Sequence, residues 1–173
     1  MGKVILYLAM SLDGYIADQQ GNYDFLHGYD DPESYDFQGF LNRLGTIIMG
    51  RKSYDLVKQQ SSTWAYNNFQ TYVYSRTLNQ DTENITFTTK KPSELIKEIK
   101  VQSDKDIWLF GGSEIIDLFV KDRAIDEYWI YYVAEVLGSG IPLFKTPILH
   151  DLDVKSIQQF ANIVEMKLIP KSK

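Results

Sequence analysis

Strand-like runs alternating with helix-like stretches predict an α/β fold: a mostly parallel central sheet flanked by helices on both faces, completed by a C-terminal antiparallel hairpin. Three observations carry this expectation. Near-continuous apolar runs such as Val4–Met10 fit strands buried on both faces. Stripes at helical spacing, such as Phe37, Phe40, Leu41 and Leu44, separate them. In the tail from Val154 to Ile169, Val164, Met166 and Leu168 alternate with Glu165 and Lys167, the pattern of a hairpin at a sheet edge.

The elements follow in order. Lys3–Met10 is the first strand. Ser11–Tyr29 carries Gly14, Gly21 and Gly28 among several Asp and Asn residues and reads as a long loop. The Phe37–Leu44 helix leads into a short strand, Thr46–Met49, and Gly50-Arg51-Lys52-Ser53 opens another helix. Thr71–Tyr74 and Ile85–Thr88 are β-branched and aromatic, as strands require. Pro92 suits a first helical position ahead of Leu95, Ile96 and Ile99. The strand Ile107–Phe110 ends in Gly111-Gly112, and Ile115, Ile116, Phe119 and Val120 face the next helix. Tyr128–Val136 is the longest strand before the tail.

The 173 residues include no cysteine and two histidines, His27 and His150, far apart. Zinc–cysteine sites, iron–sulfur centres, disulfides and thiol nucleophiles are therefore excluded, and no metal site is expected. A formal charge of −5 argues against an electrostatically driven nucleic-acid binder. For a chain of this size, folding hides roughly 70% of the accessible surface, so a single domain over 1–173 is expected. The apolar runs are too short to span a bilayer, and the start lacks a secretory h-region, which points to the cytoplasm.

Ligands of such sheets bind beyond the carboxyl ends of the strands. Three segments have the strand, polar turn and helix layout. In Ile48-Met49-Gly50-Arg51-Lys52-Ser53, helix-start amides and two cations make an anion site, although cations there oppose the helix dipole. A helix start with solvated charges is the plain alternative. Phe110-Gly111-Gly112-Ser113-Glu114 allows close backbone approach, as a diphosphate needs, or is simply a tight turn capped by Ser113. Tyr72-Val73-Tyr74-Ser75-Arg76 ends in a hydroxyl and a guanidinium suited to a phosphate monoester, or to a polar loop. Together the three suggest an extended ligand with several phosphates.

With the loop Met10-Ser11-Leu12-Asp13-Gly14-Tyr15-Ile16-Ala17 added, the sequence resembles the dihydrofolate reductase superfamily. It is most similar to the bacterial branch containing the RibD C-terminal reductase domain of riboflavin biosynthesis. The matching blocks are 9–17, 48–54, 73–76, 110–113 and Gly138–Phe144, in family order. The resemblance implies an NADPH-dependent reductase. It places Ala9 and Ile16 beside the nicotinamide, Gly50, Arg51, Lys52 and Ser53 at phosphate, and Ser75 and Arg76 at the 2′-phosphate. Phe110 to Ile115, with a cis bond between Gly111 and Gly112, would meet the diphosphate. Relatives are commonly dimers, so a homodimer is expected.

The substrate side matches less closely. The family's acidic residue on the first helix lies four positions before a Phe, and both Glu33–Phe37 and Asp36–Phe40 fit. Tyr131 replaces the usual Thr on the long strand. Asp13 and Asp36 are the candidate catalytic groups, orienting substrate or relaying a proton. Tyr15, Trp64 and Tyr131 are candidate walls for a flat heterocycle. The reaction implied is hydride transfer to a small heterocyclic or carbonyl substrate. The rival reading is a non-catalytic NADP- or nucleotide-binding module that has kept the reductase fold.

Overall fold

The computed structural model describes residues 2–29, 36–77, 81–146 and 150–171. Among these residues, ten strands and four α-helices follow in chain order: β1 (Val4–Ser11), β2 (Tyr15–Ala17), α1 (Phe37–Arg43), β3 (Leu44–Gly50), α2 (Arg51–Gln59), β4 (Gln70–Tyr74), β5 (Ile85–Thr88), α3 (Pro92–Gln102), β6 (Asp106–Gly111), α4 (Ser113–Lys121), β7 (Glu127–Val133), β8 (Ile141–Pro142), β9 (Leu152–Phe160) and β10 (Ile163–Pro170). Eight strands among the described residues form one sheet in the order β5-β4-β3-β6-β1-β7-β10-β9. From β5 to β7 every pairing is parallel, and β10 and β9 add an antiparallel hairpin. The expected architecture is present.

Strand alternation divides the core in two. Val4, Leu6 and Met10 of β1 face one side, where Leu95 and Ile99 of α3 and Ile116 and Phe119 of α4 cover them. Ile5 and Tyr7 face the other, with Phe40 of α1 and Tyr54 of α2. Phe40 is 1% exposed and stacks on Tyr7 at 4.2 Å between ring centroids. Aromatic contacts of this kind add about 0.5–1.5 kcal/mol beyond area burial.

Three expectations change. The Ser11–Tyr29 loop contains β2, paired with β8, and a 3-10 turn at Asp24–Leu26. Leu44 starts β3 rather than ending α1; its backbone is extended, and a buried leucine serves either element. The β7 strand stops at Val133, because Ala134–Val136 emerge into solvent. No helix among the described residues is long and apolar enough to cross a membrane.

Candidate active site

Register places the loops together. Gly50 lies opposite Tyr74, Met49 opposite Gly111, and Ala9 opposite Tyr131. The carboxyl ends of β4, β3, β6, β1 and β7 therefore form one edge. From β4 to β1 is three strand spacings, ~14 Å, a span that suits an extended ligand.

Two helices begin on this edge. Gly50 is the N-cap of α2 and Gly112 that of α4, and neither supplies a side-chain acceptor to the first-turn amides. A Cβ at Gly50 would stand 2.9 Å from Ile115 Cγ1, so only glycine allows α4 to pack this closely on β3. A Cβ at Gly112 would meet Ser53 Oγ at 3.7 Å. The two helix starts thus lie close together on this edge, with glycine backbone at both N-caps. The Gly111–Gly112 peptide is cis, and Gly111 has φ +114°, which side-chain-bearing residues rarely adopt.

At the start of α4, Ser113 is buried and Glu114 is exposed, 3.7 Å from Lys145. Phe110 turns to the other face and packs on Trp108 at 4.8 Å. Lys52 and Arg76 are exposed. Arg51 is engaged within its own helix: Nε donates to both Asp55 oxygens at 2.8 and 2.9 Å. That contact relieves the dipole conflict in part, leaving Lys52 as the more open cation. Ser75 Oγ donates to the Thr77 carbonyl at 2.6 Å and accepts from the Thr77 amide, so it also closes a turn.

Where β1, β7 and β10 meet lies a cavity of about 130 Å³ lined by Tyr7, Ala9, Leu26, Tyr29, Tyr131, Val133 and Ile163. Tyr131 donates to Glu165 of β10, its direct cross-strand partner, and its ring lies 4.8 Å from that of Tyr7 between centroids. Burial first, then Tyr7 and the contact with Glu165, push the Tyr131 phenol well above the ordinary tyrosine range. It stays protonated. Lys167 Nζ stands 3.2 Å from the other Glu165 oxygen and 3.8 Å from the Trp129 ring centroid.

The remaining candidates are dispersed. Tyr15 sits on β2 with its ring against Gly140, and Trp64 packs on Tyr54 at 5.2 Å in a separate recess with Lys58 and Asn84. Of the three expected aromatic walls, only Tyr131 lines the cavity. Ala9 lines it as well, whereas Ile16 packs toward the α3/α4 side. Asp36 is exposed and caps α1 by accepting from the Gly39 amide at 2.8 Å; it does not line the cavity. Glu33 lies outside the described residues. Asp13 accepts from Ser11 Oγ at 2.6 Å and from the Leu137 and Gly138 amides at 3.1 and 2.7 Å. Ser11 chiefly, with those amides, holds its carboxyl below the usual aspartate range.

Sequence reasoning missed Tyr7 and Glu165. Tyr7 was open to discovery, since it lies two positions before Ala9 and shares its face of β1. Glu165 was not, because its partner depends on the β7–β10 register.

Sheet order and the C-terminal antiparallel hairpin define an α/β fold that the chain shares with known reductases. The chain belongs to the RibD C-terminal domain family, whose model matches residues 2–165. It is 33% identical over 175 residues to the uncharacterized protein YwjB of Bacillus subtilis (strain 168), covering 96% of this chain and 97% of that one. A Shewanella sp. PV-4 protein assigned provisionally to riboflavin biosynthesis superposes with a TM-score of 0.86 and 26% identity, covering 98% of this chain and 99% of that one. Dihydrofolate reductase from Enterococcus faecalis, complexed with NADP(H), superposes with a TM-score of 0.66 over 99% of this chain and 98% of its own, at 13% identity. At that identity the likeness concerns the fold.

Proposed function

We propose that the protein is an NADPH-dependent reductase acting on a small planar heterocycle or carbonyl compound. The observation that carries this reading is the convergence of two helix starts without side-chain caps, α2 at Gly50 and α4 at Gly112, on one edge of the sheet, with Ser53 close to the Gly112 backbone. Backbone amides there suit a diphosphate, and glycine at both N-caps allows close backbone approach to it. Lys52 and Arg76 supply exposed cations along the same edge.

Bound at this edge, NADPH would supply the hydride. The protein's part is orientation. The α2 and α4 starts hold the diphosphate, Arg76 engages the 2′-phosphate, and Ala9 forms the wall between cofactor and cavity. Val133, Ile163 and Leu26 keep water from the reacting carbon. Titration of the protein's tryptophan fluorescence with NADPH, and with NADH as control, tests the reading. Saturable NADPH binding well below millimolar, tighter than NADH, is expected. Absence of binding at millimolar NADPH would sink it. Consumption of NADPH in a screen of heterocycles and carbonyl compounds separates an enzyme from a binding module.

A further inference from the structure

Trp64 lines a second recess, of about 310 Å³, between the last turn of α2, the α2–β4 connection and the chain entering β5. This recess opens at the amino ends of the parallel strands. The length of β4 alone sets it ~13 Å from the carboxyl edge where the cofactor is proposed to lie. Its walls are tied together. Asn84 Nδ2 donates to the Asn67 carbonyl at 3.1 Å, and the Asn84 carbonyl accepts from the Thr71 amide at 2.8 Å. The Thr82 amide donates to the Ile85 carbonyl at 2.9 Å. Trp64 Nε1 donates to Thr71 Oγ1 at 3.4 Å, and the indole leans on Tyr54 at 5.2 Å. The ring is thus held in place before any ligand arrives.

Polarity in the recess is graded with depth. Tyr54 and Ile85 are buried and Trp64 is half-buried, which gives an apolar floor with two aromatic rings. The rim is contributed by Ser61, Ser62, Thr63, Thr82, Asn67 and Asn84. Their hydroxyls and carboxamides both donate and accept hydrogen bonds. Lys58 and Glu83 add one charge of each sign, so the lining as a whole favours neither an anion nor a cation. A purely apolar ring would leave the rim groups without partners, and a phosphate would meet Glu83 as well as Lys58. The matching ligand is neutral, carries hydroxyls around its edge and presents C–H groups on one face. We propose that this recess binds a neutral sugar ring, laid against Trp64 with its hydroxyls turned to the rim. The volume falls at the lower end of small-molecule pockets, about 300–1,000 Å³. With the rim exposed to water, the dissociation constant is expected to be about millimolar. The site is independent of the reductase reading.

NMR of the isotope-labelled native protein, without cofactor, tests this. The Trp64 indole signal is identified among those of the three tryptophans by its loss in Trp64→Phe. Methyl α-glucopyranoside, methyl α-mannopyranoside and methyl β-galactopyranoside are titrated to decimolar concentration, beside cyclohexylmethanol and glucose 6-phosphate. At least one sugar is expected to shift the Trp64 indole and the Asn67 and Asn84 side-chain amides together and saturably, while the Trp108 and Trp129 indoles stay in place. Cyclohexylmethanol, which has a similar ring and a single hydroxyl, is expected to bind more weakly than that sugar. Thr82→Val, a nearly isosteric change at an exposed position, is expected to weaken the sugar about threefold or more, the scale of one hydrogen bond. Melting temperature and NADPH affinity should stay near native. No saturable shift with any of the sugars overturns the proposal. So does cyclohexylmethanol binding as tightly as the sugars, which would mark a plain apolar groove. Glucose 6-phosphate binding more than about tenfold tighter than the sugars would mark an anion site at Lys58 instead. An unchanged sugar affinity in Thr82→Val would also overturn it. The comparison of ligands on the native protein needs no variant, so a folding failure cannot hide the answer.

Discussion

Tyr131 of β7 and Glu165 of β10 are direct cross-strand partners, and the phenol donates its proton to the carboxylate inside the sheet. A buried carboxylate is costly unless paired and hydrogen-bonded. Here Tyr131 and Lys167 meet that requirement from two sides. The pair also ties the added hairpin to the parallel part of the sheet next to Ala9, and β10 lends Ile163 to the cavity wall.

Tyr131 belongs to a set of buried phenols that makes the fold sensitive to alkali. Burial pushes Tyr131 and Tyr74 upward, and it pushes Tyr128 up to about 12. An unfolded tyrosine ionises near pH 10. Between that pH and the raised native values the unfolded chain binds fewer protons than the folded one, so stability falls as pH rises. Each phenol contributes a slope of up to about 1.4 kcal/mol per pH unit in that window. Urea unfolding at pH 8, 10 and 11 should show a falling midpoint above pH ~10. A midpoint unchanged through pH 11 would contradict the burial assigned to these side chains.

The helix start at Gly112 makes a prediction of its own. At this residue φ is −73°, which alanine adopts freely, and the added Cβ would meet only Ser53 Oγ at van der Waals distance. Gly112→Ala should fold with a melting temperature close to native. The methyl nevertheless projects into the space assigned to the diphosphate. NADPH affinity is expected to drop by about tenfold or more, the scale of one lost charge-assisted contact. Undiminished NADPH binding in a folded variant would move the cofactor elsewhere.

Arg76 follows β4 beside the start of α2 and is exposed. If it holds the 2′-phosphate, Arg76→Ala removes a charged hydrogen bond that NADH never makes. Binding of NADPH should weaken about tenfold or more, and that of NADH less than about twofold. Parallel fluorescence titrations with both nucleotides distinguish this from a general loss of positive field, which would weaken the two equally.

The parts of this architecture written in local patterns were legible from sequence. The apolar run of β1, the alternation of β10, and the Gly111-Gly112 pair with Ser113 each announce themselves within ten residues. Those that depend on register were not. Glu165 reads as the solvent side of an alternating strand until β10 pairs with β7, which turns it inward against Tyr131. The β2–β8 pairing escaped for a similar reason: each partner is too short to show a period. Asp36 fitted the spacing of a functional carboxylate because an N-cap and a site residue can both precede an aromatic helix stripe. Its contact with the Gly39 amide is what separates the two roles.

Asp13 illustrates the same ambiguity at the end of β1. Its carboxylate accepts from Ser11 and from the Leu137 and Gly138 amides, pinning the β1–β2 turn to the segment between β7 and β8. The Leu12 amide to the Glu135 carbonyl and the Leu143 amide to the Gly14 carbonyl run alongside. Because these contacts favour the charged form, the folded pKa lies below the unfolded one. The fastening is complete above the ordinary aspartate range and is lost as pH falls through the lowered value. In the native chain, the amide shifts of Leu137 and Gly138 should therefore titrate together, with a midpoint below 3.8. In Asp13→Asn that titration should disappear, and hydrogen exchange at both amides should quicken by about tenfold as the turn opens locally. Shifts that move with a midpoint at or above the ordinary aspartate value would mean that the carboxylate does not fasten this loop. Asp13 would then be available for the proton relay that its place after Ala9 first suggested.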